Sequence, residues 1–259
     1  MAKIRMILPG LLLVWATAQT PPSPAKIMER VLNHPHPAST VSTITLTMKK
    51  TKGKRVKTKV RELMRYHKSY SEGVYRSKTM MRFLKPAVAK GIGLLTWNYR
   101  DGHSDQWLYL PKLKKAKKIA VSEQSKSLLG TEFSYEDLQE TSLDTASLSY
   151  GGEAVLDSIP CQIVDQRMPA SRQYSHRRIW VSTGNWLIKK VEYFDHQNRP
   201  VKVLDIPEHI RQDRFWFTRK MIMHNLLNGN ESILEVNDIQ VNTGLVDDFF
   251  SQTFLTKLD

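Results

Sequence analysis

The sequence predicts a mainly β (α+β) protein built on one large, curved antiparallel sheet or unclosed barrel of about eleven strands with a few covering helices. Two observations predict it. Apolar and polar residues alternate with a period of two over most of the chain. Short polar turns such as Tyr99-Arg100-Asp101-Gly102, Thr183-Gly184-Asn185 and Leu227-Asn228-Gly229-Asn230 separate the alternating stretches. Consecutive strands with so little helix between them exclude the crossovers of a parallel α/β enzyme fold.

The chain opens with MAKIRMILPGLLLVWATA, in which Lys3 and Arg5 precede an apolar run from Ile7 to Trp15 that ends in Ala16-Thr17-Ala18. A basic start, a short apolar run and an A-x-A site predict a signal peptide over residues 1–18, cleaved after Ala18. The run is shorter than the roughly 20 residues a membrane span needs. The single cysteine, Cys161, is far from that site, so the sequence predicts no lipid-modified N-terminus and no internal disulfide. Residues 19–25, QTPPSPA, read as a disordered proline-rich spacer, and 26–259 as a single domain, soluble in the periplasm after cleavage.

Within that domain, KIMERVLN (26–33) places Ile27 with Val31 and Met28 with Leu32 at helical spacing, and His34-Pro35-His36-Pro37 stops the helix. Strands follow over 41–48, 55–65, 75–84, 91–99, 106–110, 132–136, 161–168, 177–182, 187–194, 215–224 and 232–241. Two stretches break the rhythm. Residues 112–126 hold six lysines in fifteen positions and read as an exposed strand end running into a mobile loop. Residues 136–149 are polar and read as a short helix.

The residue types that carry catalysis do not assemble in the sequence. There is no G-x-S-x-G elbow; Gly91-Ile92-Gly93 lacks the third glycine of a phosphate loop; Glu136-Asp137 and Asp247-Asp248 read as helix caps or solvated pairs. The close pair His34-Pro35-His36 suits an exposed corner better than a metal site. The sequence therefore predicts no enzyme, no metal and no cofactor. Formal charge is +14, and loss of Lys3 and Arg5 with the signal peptide lowers it by two, to +12. Outside the cytoplasm such a balance suits an anionic membrane surface or an acidic face of a membrane protein, not nucleic acid. Large apolar residues repeat on alternate positions: Leu95, Trp97 and Tyr99; Trp107 and Tyr109; Phe215 and Phe217. These seven are the candidates for contact with an acyl chain, whose burial contributes about 0.8 kcal/mol per methylene without any directional partner. The same alternation equally describes a plain protein core.

Three blocks in order, RFLKPAVAKGIGLLTW (82–97), DQWLYLPKLKKAKKIA (105–120) and SLLGTEFSYEDL (127–138), closely resemble the outer-membrane lipoprotein-sorting protein family of the LolA-like superfamily. The matching positions are Phe83, Leu84, Pro86, Lys90, Gly91, Leu94 and Leu95; Asp105, Trp107 to Pro111, Leu113, Lys118 and Ile119; Gly130, Phe133 and Tyr135 to Asp137. The chain departs from the family habit in carrying Lys117-Lys118 where arginines are frequent, and leucines at 128 and 129 where methionine or phenylalanine occurs. The resemblance implies an unclosed antiparallel barrel with helices over its mouth and an apolar cavity that binds the acyl chains of a lipoprotein or lipid. It implies a periplasmic carrier that passes cargo towards the outer membrane or, alternatively, a lipid- or protein-binding accessory or sensor module of an inner-membrane transporter of the resistance-nodulation-division type. With such a transporter as partner, Lys114, Lys115, Lys117 and Lys118 become a candidate docking surface.

Overall fold

The computed structural model describes residues 22–140 and 147–257; the predicted signal peptide and residues 19–21 lie outside them. The first helix, α1 (Pro24–Leu32), starts two residues before the predicted one. Ser23 caps it by accepting the Lys26 N–H at 3.3 Å, and Pro24 takes the first helical position, where its missing N–H is no loss. Pro24 and Ala25, which the sequence places in the spacer, are thus helical. Ile27 and Met28 are fully buried.

Thirteen strands follow: β1 (Ser39–Lys52), β2 (Arg55–Ser69), β3 (Tyr75–Lys85), β4 (Gly93–Tyr99), β5 (Ser104–Leu110), β6 (Lys115–Lys118), β7 (Leu148–Leu156), β8 (Ile159–Arg167), β9 (His176–Ser182), β10 (Ile188–Phe194), β11 (Pro200–Gln212), β12 (Phe215–Asn225) and β13 (Glu231–Val241). They form one sheet in the order β6-β5-β4-β3-β2-β1-β13-β12-β11-β10-β9-β8-β7. The paired strands run antiparallel, and β6 and β7 are free edges, so the sheet is open. A short helix, α2 (Gln252–Thr256), follows a 3-10 turn at Asp247–Phe250.

Ten of the eleven predicted strands are present. Residues 132–136 instead form an irregular segment with one bridge between Ser127 and Ser134, leading into a 3-10 turn at Glu136–Leu138. Three strands escape the period. β6 reads KAKK and has one apolar side chain. β7 carries a bulge at Gly151-Gly152, with a register shift between Tyr150 and Gly152. β11 holds Pro207 at a register shift between Asp205 and Glu208, where a residue without an N–H is tolerated. Of the stretch 136–149, where the sequence predicts a short helix, the described residues include that 3-10 turn and the start of β7, and residues 141–146 lie outside the described residues.

Register defines two faces. Ile44 pairs with Leu63 and Leu63 with Phe83, which puts the three on one face, and Leu46 opposite Leu234 extends it into β13. These residues share a single buried cluster with Ile27 and Met28 of α1, Val164, Ile179, Val191 and Met223. One core common to β1–β3 and β8–β13 requires the sheet to roll around it. We call this the inner face, and the end where β1 turns into β2 the upper end.

Candidate functional site

The inner face changes character along its length. Towards the upper end it presents Leu63, Phe83, Met81, Leu94 and Leu108. Towards the lower end the same side of β2–β5 presents Arg65, His67, Ser77, Thr79, Thr96, Asn98 and Gln106. The polar half is internally bonded. His67 Nδ1 and Thr79 Oγ1 lie 2.9 Å apart, Asn98 donates to Ser77 at 3.0 Å, and Ser77 donates to the Glu140 carboxylate at 2.6 Å. Burial and the neighbouring Arg65 and His36 charges hold the His67 imidazole well below its usual range. Burial lowers the Arg65 pKa and the Glu140 charge opposes that shift.

Two elements cover this face. Helix α1 lays Ile27 and Met28 into the main cluster. Segment 119–138 sends Phe133 into the same cluster and packs Ile119, Leu128 and Tyr135 around Leu94. The segment is fastened at intervals: Arg61 donates to the Leu129 carbonyl at 2.9 Å, Asn225 to Glu132 at 2.7 Å, and the Ser232 hydroxyl accepts the Glu132 N–H at 2.9 Å. Asp137 is the main clasp. Its carboxylate, 2 % exposed, accepts from the Ser134 N–H (2.7 Å), Tyr174 Oη (3.0 Å) and Lys202 Nζ (3.2 Å). The motif Tyr135-Glu136-Asp137 thus anchors the cover. Burial, reinforced by Asp137, pushes the Tyr174 phenol far up. Beside this cover opens a cleft of about 530 Å³, running from His103 to Asp105, past Glu136 and Gln139, to Met168, Ala170 and Arg172.

The candidate acyl contacts fall elsewhere. Leu95, Trp97, Trp107 and Tyr109 meet on the outer face, together with Met80 and Tyr66, beneath the chain's own C-terminal segment. Leu245, Phe249, Phe250, Phe254 and Leu255 pack on them, and Leu255 lies over Gly93, where a Cβ would come within 2.7 Å of its Cδ1. Main-chain carbonyls of this segment are recognised: Trp97 Nε1 donates to Phe250 at 2.8 Å, and Arg82 to Phe254 and Leu255 at 3.2 Å each. Asp247 bonds Lys68 at 2.6 Å and Tyr70 at 3.0 Å. Tyr99 sits at the rim, stacked on His103. Phe215 and Phe217 are not part of this assembly, since β3, β2, β1 and β13 lie between β4 and β12.

The four candidate docking lysines also divide. Lys117 pairs with Glu123 at 2.9 Å and Lys118 with Asp105 at 2.7 Å, whereas among the described residues no ion pair engages Lys114 or Lys115. Cys161 is buried, and burial raises its thiol pKa. No helix among the described residues is long and apolar enough to cross a membrane. Sequence reasoning missed the polar inner half. A signal existed, because the phase that buries Leu63 continues through Arg65 and His67.

Comparison with known proteins follows the same lines. A family model described as an uncharacterized protein matches residues 75–257. A search of curated proteins finds no match. Among solved structures, the fold is similar to a domain assigned to an outer membrane lipoprotein-sorting protein from Vibrio parahaemolyticus (TM-score 0.81, 23 % identity, 90 % of this chain and 98 % of that one). It is similar to a DUF1329 family protein from Desulfovibrio piger (TM-score 0.80, 24 % identity, 90 % and 97 %). It is also similar to a LolA superfamily protein from Nitrosomonas europaea (TM-score 0.66, 15 % identity, 90 % and 100 %). The chain therefore belongs to the family whose model matches residues 75–257, and it shares its fold, an open antiparallel sheet, with these three solved structures.

Proposed function

We propose that this chain is a periplasmic carrier that takes the acyl chains of a lipoprotein or lipid into the space between the inner face and its covering segments and passes them towards the outer membrane. The observation that supports this most is how the interior is closed. One nine-residue helix and one irregular segment cover the apolar inner face, and a cleft of about 530 Å³ opens beside them. That volume falls within the roughly 300–1,000 Å³ of small-molecule sites. A cover of this kind opens at lower cost than a strand leaves a sheet. The cleft lining suits an amphipathic cargo, with Met168, Pro169 and Ala170 beside Arg172 and Gln124.

Transfer in this reading needs only a difference in affinity between donor, carrier and acceptor. No covalent step and no cofactor enters it. Leu95, Trp97, Tyr99, Trp107 and Tyr109 take part as a second acyl site only when the C-terminal segment leaves the outer groove; Phe215 and Phe217 would extend the apolar path along β12. The exposed Lys114 and Lys115 support a second reading, an accessory module of a resistance-nodulation-division transporter.

Native mass spectrometry with lipid extraction, on protein purified from the periplasm without detergent, tests the carrier. Acylated species are expected to co-purify and to be lost from Ala170→Trp, which fills the exposed cleft without touching the core. A protein that arrives empty and takes up no added lipid contradicts the carrier and favours the accessory module.

A further inference from the structure

Apart from the cleft and the filled outer groove, the upper end of the sheet forms a third distinct surface. Pairing of β1 with β13 stops at Lys49 opposite Glu231, and pairing of β2 with β3 starts at Glu62 opposite Lys85. Residues 50–57 therefore pair in the ladder only with one another and 58–61 only with 46–49 of β1, so that the hairpin projects past the paired parts of both neighbouring strands as a two-stranded ribbon, with Thr51 reaching to the β12–β13 turn, where it donates to Asn230 Oδ1 and the Gly229 carbonyl. Residues 50–60 are exposed throughout, on both faces. From 49 to 59 the sequence is KKTKGKRVKTK, seven cations and no acid. Register sets Lys50 opposite Lys57 and Lys52 opposite Arg55. Like charges directly opposite one another destabilise a ladder. Folding alone gives no reason to gather them, and an external anionic surface relieves them.

The antiparallel order brings further turns to the same end. The β3–β4 connection carries Lys85 and Lys90, the β5–β6 connection carries Lys112 and Lys114, and the β12–β13 turn lies beyond β1 on the other side. Each of these turns, and the ribbon, also presents a large apolar side chain to solvent: Val56 (59 % exposed), Val88 (75 %), Leu113 (68 %) and Leu227 (71 %). The opposite end of β2–β5 also exposes an apolar side chain, Val74, but it differs in charge: its turns mix Arg100 with Glu72 and Asp101, and Asp247 is held nearby by Lys68. Lysines around protruding apolar tips match a bilayer interface, where cations meet anionic headgroups and apolar side chains reach the acyl boundary.

We infer that the upper end of the sheet, led by the ribbon 50–61, docks this protein on an anionic lipid bilayer. The surface lies apart from the cleft, so docking and cargo uptake are separable. Docking adds a site at which cargo changes hands and does not require the carrier reading to hold.

Flotation of the full chain with phosphatidylcholine vesicles, with and without phosphatidylglycerol, tests this. Binding is expected only with phosphatidylglycerol and is expected to fall as salt rises. The variant K50E/K52E/K54E/K57E should lower the bound fraction about tenfold or more. The variant V56S/V88S/L113S should lower it less and leave the salt dependence in place. All seven side chains are on the surface, and an unchanged thermal melt verifies folding. Undiminished vesicle binding by the charge-reversed chain, or equal binding to neutral vesicles, overturns the inference. So does failure to bind any vesicle while an acidic protein is captured, which would make the ribbon a protein-docking element. Acyl cargo measured on the same variant separates the two proposals: a chain that loses the bilayer but keeps its lipid retains the carrier, and a chain that floats but carries nothing retains only the docking.

Discussion

The two faces of β2–β5 carry the same kind of alternating pattern and are covered in opposite ways. On the outer face the C-terminal segment fills an aromatic groove, and Trp97 and Arg82 bond its main-chain carbonyls. Such contacts suit a peptide. They offer nothing to an acyl chain, which has no carbonyls along its length. On the inner face the apolar half gives way to hydroxyls, His67 and Arg65, the cover is fastened through Asp137, and a cleft stays open beside it. A row of aromatics is thus a wall, and what lies against the wall decides its use.

The largest effect should come from the outer face. Phe250 is 1 % exposed at the centre of the groove, and Phe250→Ala should cost about 3–5 kcal/mol in denaturant unfolding. A loss below about 1 kcal/mol would mean that the segment leaves the groove readily, and would move the cargo site there. On the inner face, Lys202→Met strands the buried Asp137 carboxylate and should cost about 3 kcal/mol. Because Asp137 clasps the cover, this variant should also speed hydrogen exchange in 119–138 before the rest of the sheet.

Stability should also depend on pH through inner and interstrand histidines. Burial, with Lys189 beside it, lowers His209 to about 4, and His67 is likewise held down by burial and Arg65. A histidine whose folded pKa lies below the ordinary 6.5 takes its proton first in the unfolded chain. The stabilisation is therefore complete above about pH 6.5 and declines as pH falls, for His209 down to about 4. The slope reaches at most about 1.4 kcal/mol per pH unit for each proton. His67→Gln should flatten it in acid titrations of unfolding, while Phe250→Ala should not.

The smallest predicted effect sharpens the packing argument. Gly93→Ala brings a Cβ within 2.7 Å of Leu255 Cδ1, the movable end of a side chain, and should cost about 1 kcal/mol. In a Leu255→Ala background that cost should vanish, so a double-mutant cycle reports the contact itself. Equal costs in both backgrounds would place the strain elsewhere.

Much of the architecture was legible because a period of two is a direct signature of half-buried strands. Ile44, Leu46 and Met48 of β1, or Leu95 and Trp97 of β4, announce their faces without any partner in view. β6 and β7 were hidden because KAKK and a Gly-Gly bulge carry no such period, and β11 because Pro207 interrupts it. The surroundings of the candidate contacts were legible only in part. Alternation grouped Leu95, Trp97, Trp107 and Tyr109 on one face, but that a segment about 150 residues downstream covers them is a long-range fact that no local spacing encodes. The cationic ribbon was visible as a run of lysines. Its projection past both neighbours depends on where pairing stops.

The most direct test of the central claim is photo-crosslinking with a fatty acid that carries a diazirine along its chain, followed by peptide mapping. The carrier account predicts labels on the inner face and cleft, at Met28, Phe133, Met168 and Ala170. Labels confined to Trp97, Trp107 and Tyr109 in the outer groove, or no labelling at all, would contradict it.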